Sequence, residues 1–214
     1  MNKSIAVLGL GKYGKSLADT LYEMGVDILV ADNSRETIQE YSKKAAVAVV
    51  ADLANEEEVR ELGISNMDIV VVAMGCDLEA SIMCVMMAKE MGVPMVVAKA
   101  STDRMAAILT RVGADRIINP EKEMGMRTAR ILNSSSFLEF FSVDDNFCLI
   151  KMKPKQKWIG RNLLDLDLRK KYNMNVVAVE GTDGAWGFVD PSRPFEEGMN
   201  MLVAVEQKDV KRLK

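Results

Sequence analysis

Residues 9–14 read Gly9-Leu10-Gly11-Lys12-Tyr13-Gly14, a G-x-G-x-x-G spacing set directly behind the apolar run Ser4–Leu8. No other feature of the chain limits its fold as sharply. A strand that turns at once into a helix through three glycines opens a doubly wound α/β domain. Gly9 allows the tight turn, Gly11 lets backbone amides approach a phosphate, and Gly14 permits close packing of helix on strand. The first amides and the dipole of the helix then favour an anion. Asp32 ends the next apolar run, 23 residues beyond Gly9. A carboxylate there receives ribose hydroxyls and repels a 2′-phosphorylated cofactor.

The rest of the first half follows the same grammar. Ser4–Leu8, Asp27–Ala31, Val47–Ala51, Asp68–Ala73, Met95–Ala98 and Arg116–Asn119 read as buried strands, apolar on both faces as parallel strands between helix layers are. Between them, Tyr13–Met24 carries Leu17, Leu21 and Met24 on one helical face, and Leu78–Met91 and Asp103–Val112 have similar stripes. Asn119-Pro120-Glu121 starts a further helix, with Asn as N-cap and Pro in the first turn, running to about Leu132. Asn133–Ser136 reads as a linker.

Beyond the linker the pattern becomes β-rich. Phe137–Val143 and Phe147–Met152 are strands joined by Asp144-Asp145-Asn146; Arg161–Lys171 is a short charged helix; Asn175–Glu180 and Met199–Val205 are further strands. The expected organisation is a Rossmann domain over 1–133 and a small α+β domain over 137–214.

Composition removes several functions. The chain of 214 residues contains no histidine, and its net charge is −3. Without histidine there is no Ser-His or Cys-His nucleophile pair and no histidine general base. Three scattered cysteines, Cys76, Cys84 and Cys148, argue against disulfides and a thiolate metal site. The acidic balance gives no general attraction to nucleic acid. The most apolar stretch, Ser81–Ala98, is interrupted by Lys89, Glu90 and Pro94, so no membrane insertion is expected and the chain reads as cytoplasmic. Neither Tyr41 nor Tyr172 begins a Tyr-x-x-x-Lys pair. Nucleotide binding without chemical machinery points to a sensor rather than an enzyme; a small NAD-dependent oxidoreductase is the remote alternative.

Three single residues carry two readings each. Lys12 either reaches the terminal phosphates of ATP or ADP or is a solvated first-turn lysine. Asp52, after the third strand, either contacts adenine or ribose or caps a turn. Gly75, after the fourth, either leaves room for a ligand or is a plain loop glycine. The sixteen methionines, many in Met83–Met95 and Met124–Met126, read as core filling and a plastic subunit interface.

The runs IAVLGLGKYGKSLADTLYEMGVDILVAD, VVADLANEEEVRELGISNMDIVVVAMG, MVVAKA and VGADRIINPEKEMGMRTA resemble the RCK family, the regulators of potassium conductance, in its TrkA-N domain. The tail from Trp158 onward resembles the TrkA-C domain. The pattern is most similar to the cytosolic subunit of Ktr-type potassium uptake systems. That resemblance implies a gating subunit that senses ATP against ADP. It also implies a homo-oligomer, a dimer or octameric ring, docked on a membrane potassium-translocating subunit. An NAD(H)-responsive Trk-type regulator is the alternative, because Lys12 stands where the family usually has Arg and lacks the bidentate fork. The implied nucleotide pocket comprises Gly9, Gly11, Lys12, Tyr13, Gly14, Asp32, Asn33, Ser34, Asp52, Leu53, Gly75 and Lys99. Glu121 matches an acid implied at a site for a divalent cation or sodium on the dimer interface, and it equally suits a helix N-terminus. In some relatives the C-terminal domain dimerises around cyclic di-AMP; Trp158, Ile159, Gly160, Arg169, Asn175 and Val176 fall in that stretch. There, Ile159 and Val176 are alternatively core, and Arg169 a solvated charge.

Overall fold

The computed structural model describes residues 3–213, which divide into two compact units, Met1–Lys122 and Glu123–Lys214. The first is built on six parallel strands: β1 (Ile5–Leu8), β2 (Ile28–Asp32), β3 (Val47–Val50), β4 (Ile69–Val72), β5 (Met95–Lys99) and β6 (Arg116–Ile118). Their order is β3-β2-β1-β4-β5-β6. The chain therefore reverses its winding between β1 and β4, the point where open α/β sheets carry ligands beyond the strand ends. The helices are α1 (Lys12–Glu23), α2 (Arg35–Tyr41), α3 (Glu56–Glu61), α4 (Leu78–Glu90), α5 (Asp103–Arg111) and α6 (Pro120–Leu132).

One core cluster joins Leu8, Leu29, Val70, Val96, Cys84, Val85 and Leu109 on one side of the sheet. Val7, Val30, Ala18, Ile38 and Tyr41 form another. Burial pushes the Cys84 thiol up to about 12, with the Asp77 charge adding to it, so this sulfur behaves as a small core hydrophobe. Helix α1 meets the sheet through Gly14 and Ala18, with Leu17 and Leu21 half-buried beside them. Met24, expected on the same stripe, is 70% exposed because α1 ends before it. The runs expected as buried strands at Val47–Ala51 and Arg116–Asn119 are β3 and β6, the two edges of the sheet, and both are partly exposed. The second strand lies one residue later than expected, so Asp32 is its last residue. Helices α2 and α3 are too short for their periodicity to stand out in the sequence.

The second unit holds an antiparallel sheet ordered β10-β9-β11-β8-β7. Its strands are β7 (Phe137–Ser142), β8 (Phe147–Met152), β9 (Met174–Glu180), β10 (Trp186–Phe188) and β11 (Asn200–Glu206). Its core centres on Ile150, Met152, Trp158, Leu166, Met201, Val203 and Leu213, and the Trp158 ring meets Tyr172 edge-on at 5.3 Å. The single helix expected over Arg161–Lys171 is instead two short ones, α7 (Leu163–Leu166) and α8 (Leu168–Tyr172). Asp167, at φ +47, breaks them, a left-handed position that Asp tolerates better than most residues. Strand β10 had no sequence signal: it is three residues long and contains Gly187. The division between units falls inside α6, ahead of the Asn133–Ser136 linker, because the far end of that helix packs in the second unit. There Ile131 lies against the core, Arg127 pairs with Glu139, and the Arg130 guanidinium stands 4.4 Å from the Phe140 ring centre.

Asp115 ties three elements of the first unit. Its carboxylate accepts the Val96 amide at 2.7 Å and pairs with Lys89 of α4 at 2.9 Å, and these donors hold its pKa below the usual carboxylate range. A depressed carboxyl stabilises the fold above its unfolded value and loses that contribution as pH falls through the folded one. Asp115→Ala should therefore lower the thermal midpoint at pH 7, with the gap to wild type narrowing below about pH 4 in a pH series of melting curves.

Candidate functional site

Gly9 and Gly14 make the tight turn and the close packing that their spacing predicts. Gly9 sits at φ +91, and a Cβ there would lie 2.5 Å from the Met74 side chain. A Cβ on Gly14 would lie 2.0 Å from the Gly9 carbonyl oxygen, so α1 is pressed onto the turn as closely as backbone allows. Gly11 faces open space, with nothing within 4 Å of its Cβ position.

That openness coincides with an uncapped helix. Ser34, Asn55, Asp77, Thr102 and Asn119 each accept a first-turn amide of the helix they precede. Gly11 precedes α1 and brings no side-chain cap, and the first turn of α1 contains no acid. The first amides of a helix have no partner within it. Helix α1 starts at the end of β1, with Lys12 exposed at its first position. Among the described residues Lys12 forms no ion pair.

Asp32 is half-buried at the tip of β2. One carboxylate oxygen accepts the Leu10 amide at 2.6 Å and the other the Ser34 amide at 2.9 Å. The glycine turn and the second strand are thus locked together through this one side chain. Each oxygen keeps a further lone pair for a hydroxyl donor.

An open cleft of about 190 Å³ runs from here along the strand ends, lined by Gly9, Asp32, Asn33, Asp52, Leu53, Ala54, Met74, Asp77 and Ala80. It brings together five of the residues predicted from sequence: Gly9, Asp32, Asn33, Asp52 and Leu53. The loop carrying Asp52 is braced from α3, where Glu58 accepts the Asp52 amide at 2.7 Å, while Asp52 itself accepts the Ala54 amide at 3.0 Å. Three carboxylates, Asp32, Asp52 and Asp77, therefore line the cleft, which reaches the glycine turn at Gly9. Met74, Ala54, Asp77 and Ala80 were not foreseen. Asp77 alone left a signal, an acid just ahead of an apolar helix and just past the fourth strand.

Other predicted residues stand outside the lining. Ser34 caps α2 and holds Asp32. Gly75 makes room for a side chain of the protein rather than for a ligand: a Cβ there would meet the Lys99 stem at 2.9 Å. Lys99 is 12% exposed, its Nζ 5.8 Å from the Tyr13 ring centre and paired with Glu121 at 2.6 Å. The Lys99 hydrogen bond, with a backbone donor behind it, holds the Glu121 carboxyl below its ordinary range. Among the described residues no three Asp, Glu or Cys side chains gather as a metal site. In the second unit, Ile159 bridges Phe195 and packs with Val176 against the core, while Arg169 and Asn175 are exposed.

A fold wound this way around an open helix N-terminus has known counterparts. The TrkA-N domain model matches residues 5–120. The Ktr system potassium uptake protein A of Bacillus subtilis (strain 168) is 31% identical over 99% of this chain and 95% of its own. Its counterpart in Vibrio alginolyticus is 32% identical over 97% and 94%. The chain belongs to the TrkA-N family. Another member, Ktr system potassium uptake protein C of Bacillus subtilis, is 36% identical over 84% of this chain and 81% of its own. The TrkA-N architecture and the unit behind it also superpose on a solved structure of the GsuK channel bound to NAD. The TM-score is 0.67 and the identity 10%, over 98% of this chain; the chain spans about 38% of that one. The TrkA-N domain of YbaL from Escherichia coli gives a TM-score of 0.56 over 63% of this chain and 98% of its own. The TrkA-N sheet, the second antiparallel unit and the RCK architecture expected from the sequence are those observed. Among the described residues no helix is long and apolar enough to cross a membrane.

The contrast between two glycines is testable. Gly14→Ala should cost about 1–3 kcal/mol or more in a denaturant titration, as overpacking against rigid backbone does. Gly11→Ala, at φ −64 with open space around its Cβ, should stay within about 0.5 kcal/mol of wild type.

Proposed function

We propose that this chain is the regulatory subunit of a potassium uptake system and senses an adenine nucleotide in the cleft beyond β1, β2 and β4. The observation that carries the proposal is a cleft lined by Asp32 and Asp52 that reaches the glycine turn at the winding reversal of the sheet. Gly11, whose Cβ position faces open space, and the exposed Lys12 suit phosphates at the start of α1. The Asp32 and Asp52 carboxylates, past β2 and β3, suit the hydroxyls of ribose and the amine of adenine. A nucleotide bound in reverse would set phosphates against Asp32 and Asp52. The relatives named as Ktr system potassium uptake proteins supply the physiological context. The subunit works as a homo-oligomer, a dimer or a ring of them, docked on a membrane potassium-translocating partner. ATP and ADP shift the ring by binding its states unequally; a tenfold preference is about 1.4 kcal/mol per site. A cation at Glu121 would have to displace Lys99. Cyclic di-AMP in the second unit would have to rely on the exposed Arg169 and Asn175.

NAD(H) is the second reading. It is favoured by Asp32, whose carboxylate faces no cation among the described residues and so admits a 2′-hydroxyl. Calorimetry with ATP, ADP and NADH separates the two: ATP or ADP tighter than NADH supports the first, the reverse order the second. Asp32→Ala and Gly11→Asp should each weaken the preferred ligand at least tenfold. Failure of all three to bind at millimolar concentration removes the nucleotide-sensing reading. Restoration of potassium uptake in cells lacking such a subunit tests the physiological role independently.

A further inference from the structure

We infer that the second unit carries a separate anion site, suited to a small phosphate-bearing molecule, between the last turn of α6 and the 3₁₀ helix Gln207–Leu213. A cavity of about 310 Å³ is lined there by Ala129, Arg130, Asn133, Phe140, Gln207, Val210 and Lys211. Two of these side chains are cations, and among the described residues neither Arg130 nor Lys211 pairs with a carboxylate. The neighbouring acids are all engaged elsewhere: Glu139 with Arg127, Glu206 with Lys208, and Asp209 with Arg212 and Asn173.

The guanidinium is also held in place. Its Nη2 donates to Gln207 Oε1 at 3.1 Å, and its plane lies over the Phe140 ring. Gln207 cannot rotate to release it, because its Nε2 donates to Ser142 Oγ at 3.0 Å and to the Asp144 carbonyl at 2.8 Å. One guanidinium bond is used, out of five N–H donors, so a pre-oriented fork remains for phosphate oxygens. Asn133 adds an amide at the rim. Ala129, Phe140 and Val210 supply an apolar wall for the organic part of a ligand.

A cation in the last turn of α6 is favoured by the helix dipole alone. That accounts for Arg130. It does not account for Lys211, which comes from a different element and faces the same cavity. The two together make a concave positive site on a protein of net charge −3, where an anion gains what the rest of the surface withholds.

The test is calorimetry of the full chain with inorganic pyrophosphate, comparing wild type with Arg130→Met/Lys211→Met. Wild type should show a site that the double variant weakens at least tenfold, about 1.4 kcal/mol, with affinity falling as salt is added. Arg130→Lys/Lys211→Arg, which preserves charge, should retain binding within about threefold. Lys211→Glu, at an exposed position, keeps the test usable should the double variant fail to fold, and it too should weaken binding. The inference is overturned if wild type binds no pyrophosphate, or if these charge-removing variants bind as wild type does. The latter result would assign the anion to α1 and leave the proposed function untouched.

Discussion

The hydrogen bond from the Leu10 amide to Asp32 Oδ2 is the constraint around which the first unit is organised. It joins the turn after β1 to the end of β2 and fixes where both stop. With the turn held, Gly14 sets α1 hard against the Gly9 carbonyl, and the first amides of the helix emerge at the winding reversal of the sheet. A single carboxylate thus joins the turn, the strand and the loop after it. The two backbone amides it accepts offset the desolvation of an acid at a half-buried strand end.

Charge is distributed along the cleft rather than balanced within it. The three acids are each tethered to backbone amides: Asp32 to Leu10 and Ser34, Asp52 to Ala54, Asp77 to Ala80. Their orientation is therefore fixed by the protein's own backbone. Lys99 shows the opposite use of charge. Its stem fills the space that Gly75 leaves, and its ammonium is neutralised by Glu121, which removes a cation from the site that position alone would have placed there.

Much of this was legible in the sequence where one local rule determined the outcome. The tight turn at Gly9, the close packing at Gly14 and the place of Asp32 at the end of β2 are legible because backbone sterics admit few alternatives at their spacing. Strands β1, β2, β4 and β5 are read because apolar runs between two helix layers are unambiguous. The misreadings have a common origin in tertiary context. Val47–Val50 looks like an interior strand, and only the strand order makes it an edge. Leu163–Tyr172 has helical composition throughout, yet Leu166 and Leu168 are both buried, which a continuous helix would not allow so readily; the turn at Asp167 brings both inward. Gly75 and Lys99 were each placed in the pocket, but nothing local in the sequence shows that one is the seat of the other.

Strand β3 ends the parallel sheet with only four residues, Val47 and Val50 exposed and the charged Lys43 and Lys44 just before it. A neighbouring copy that tried to extend the ladder would find few amides to pair with and two ammonium groups to dehydrate. Growth by backbone addition is self-limiting at this border. At this edge, any second copy would have to pack through side chains rather than extend the sheet by main-chain pairing.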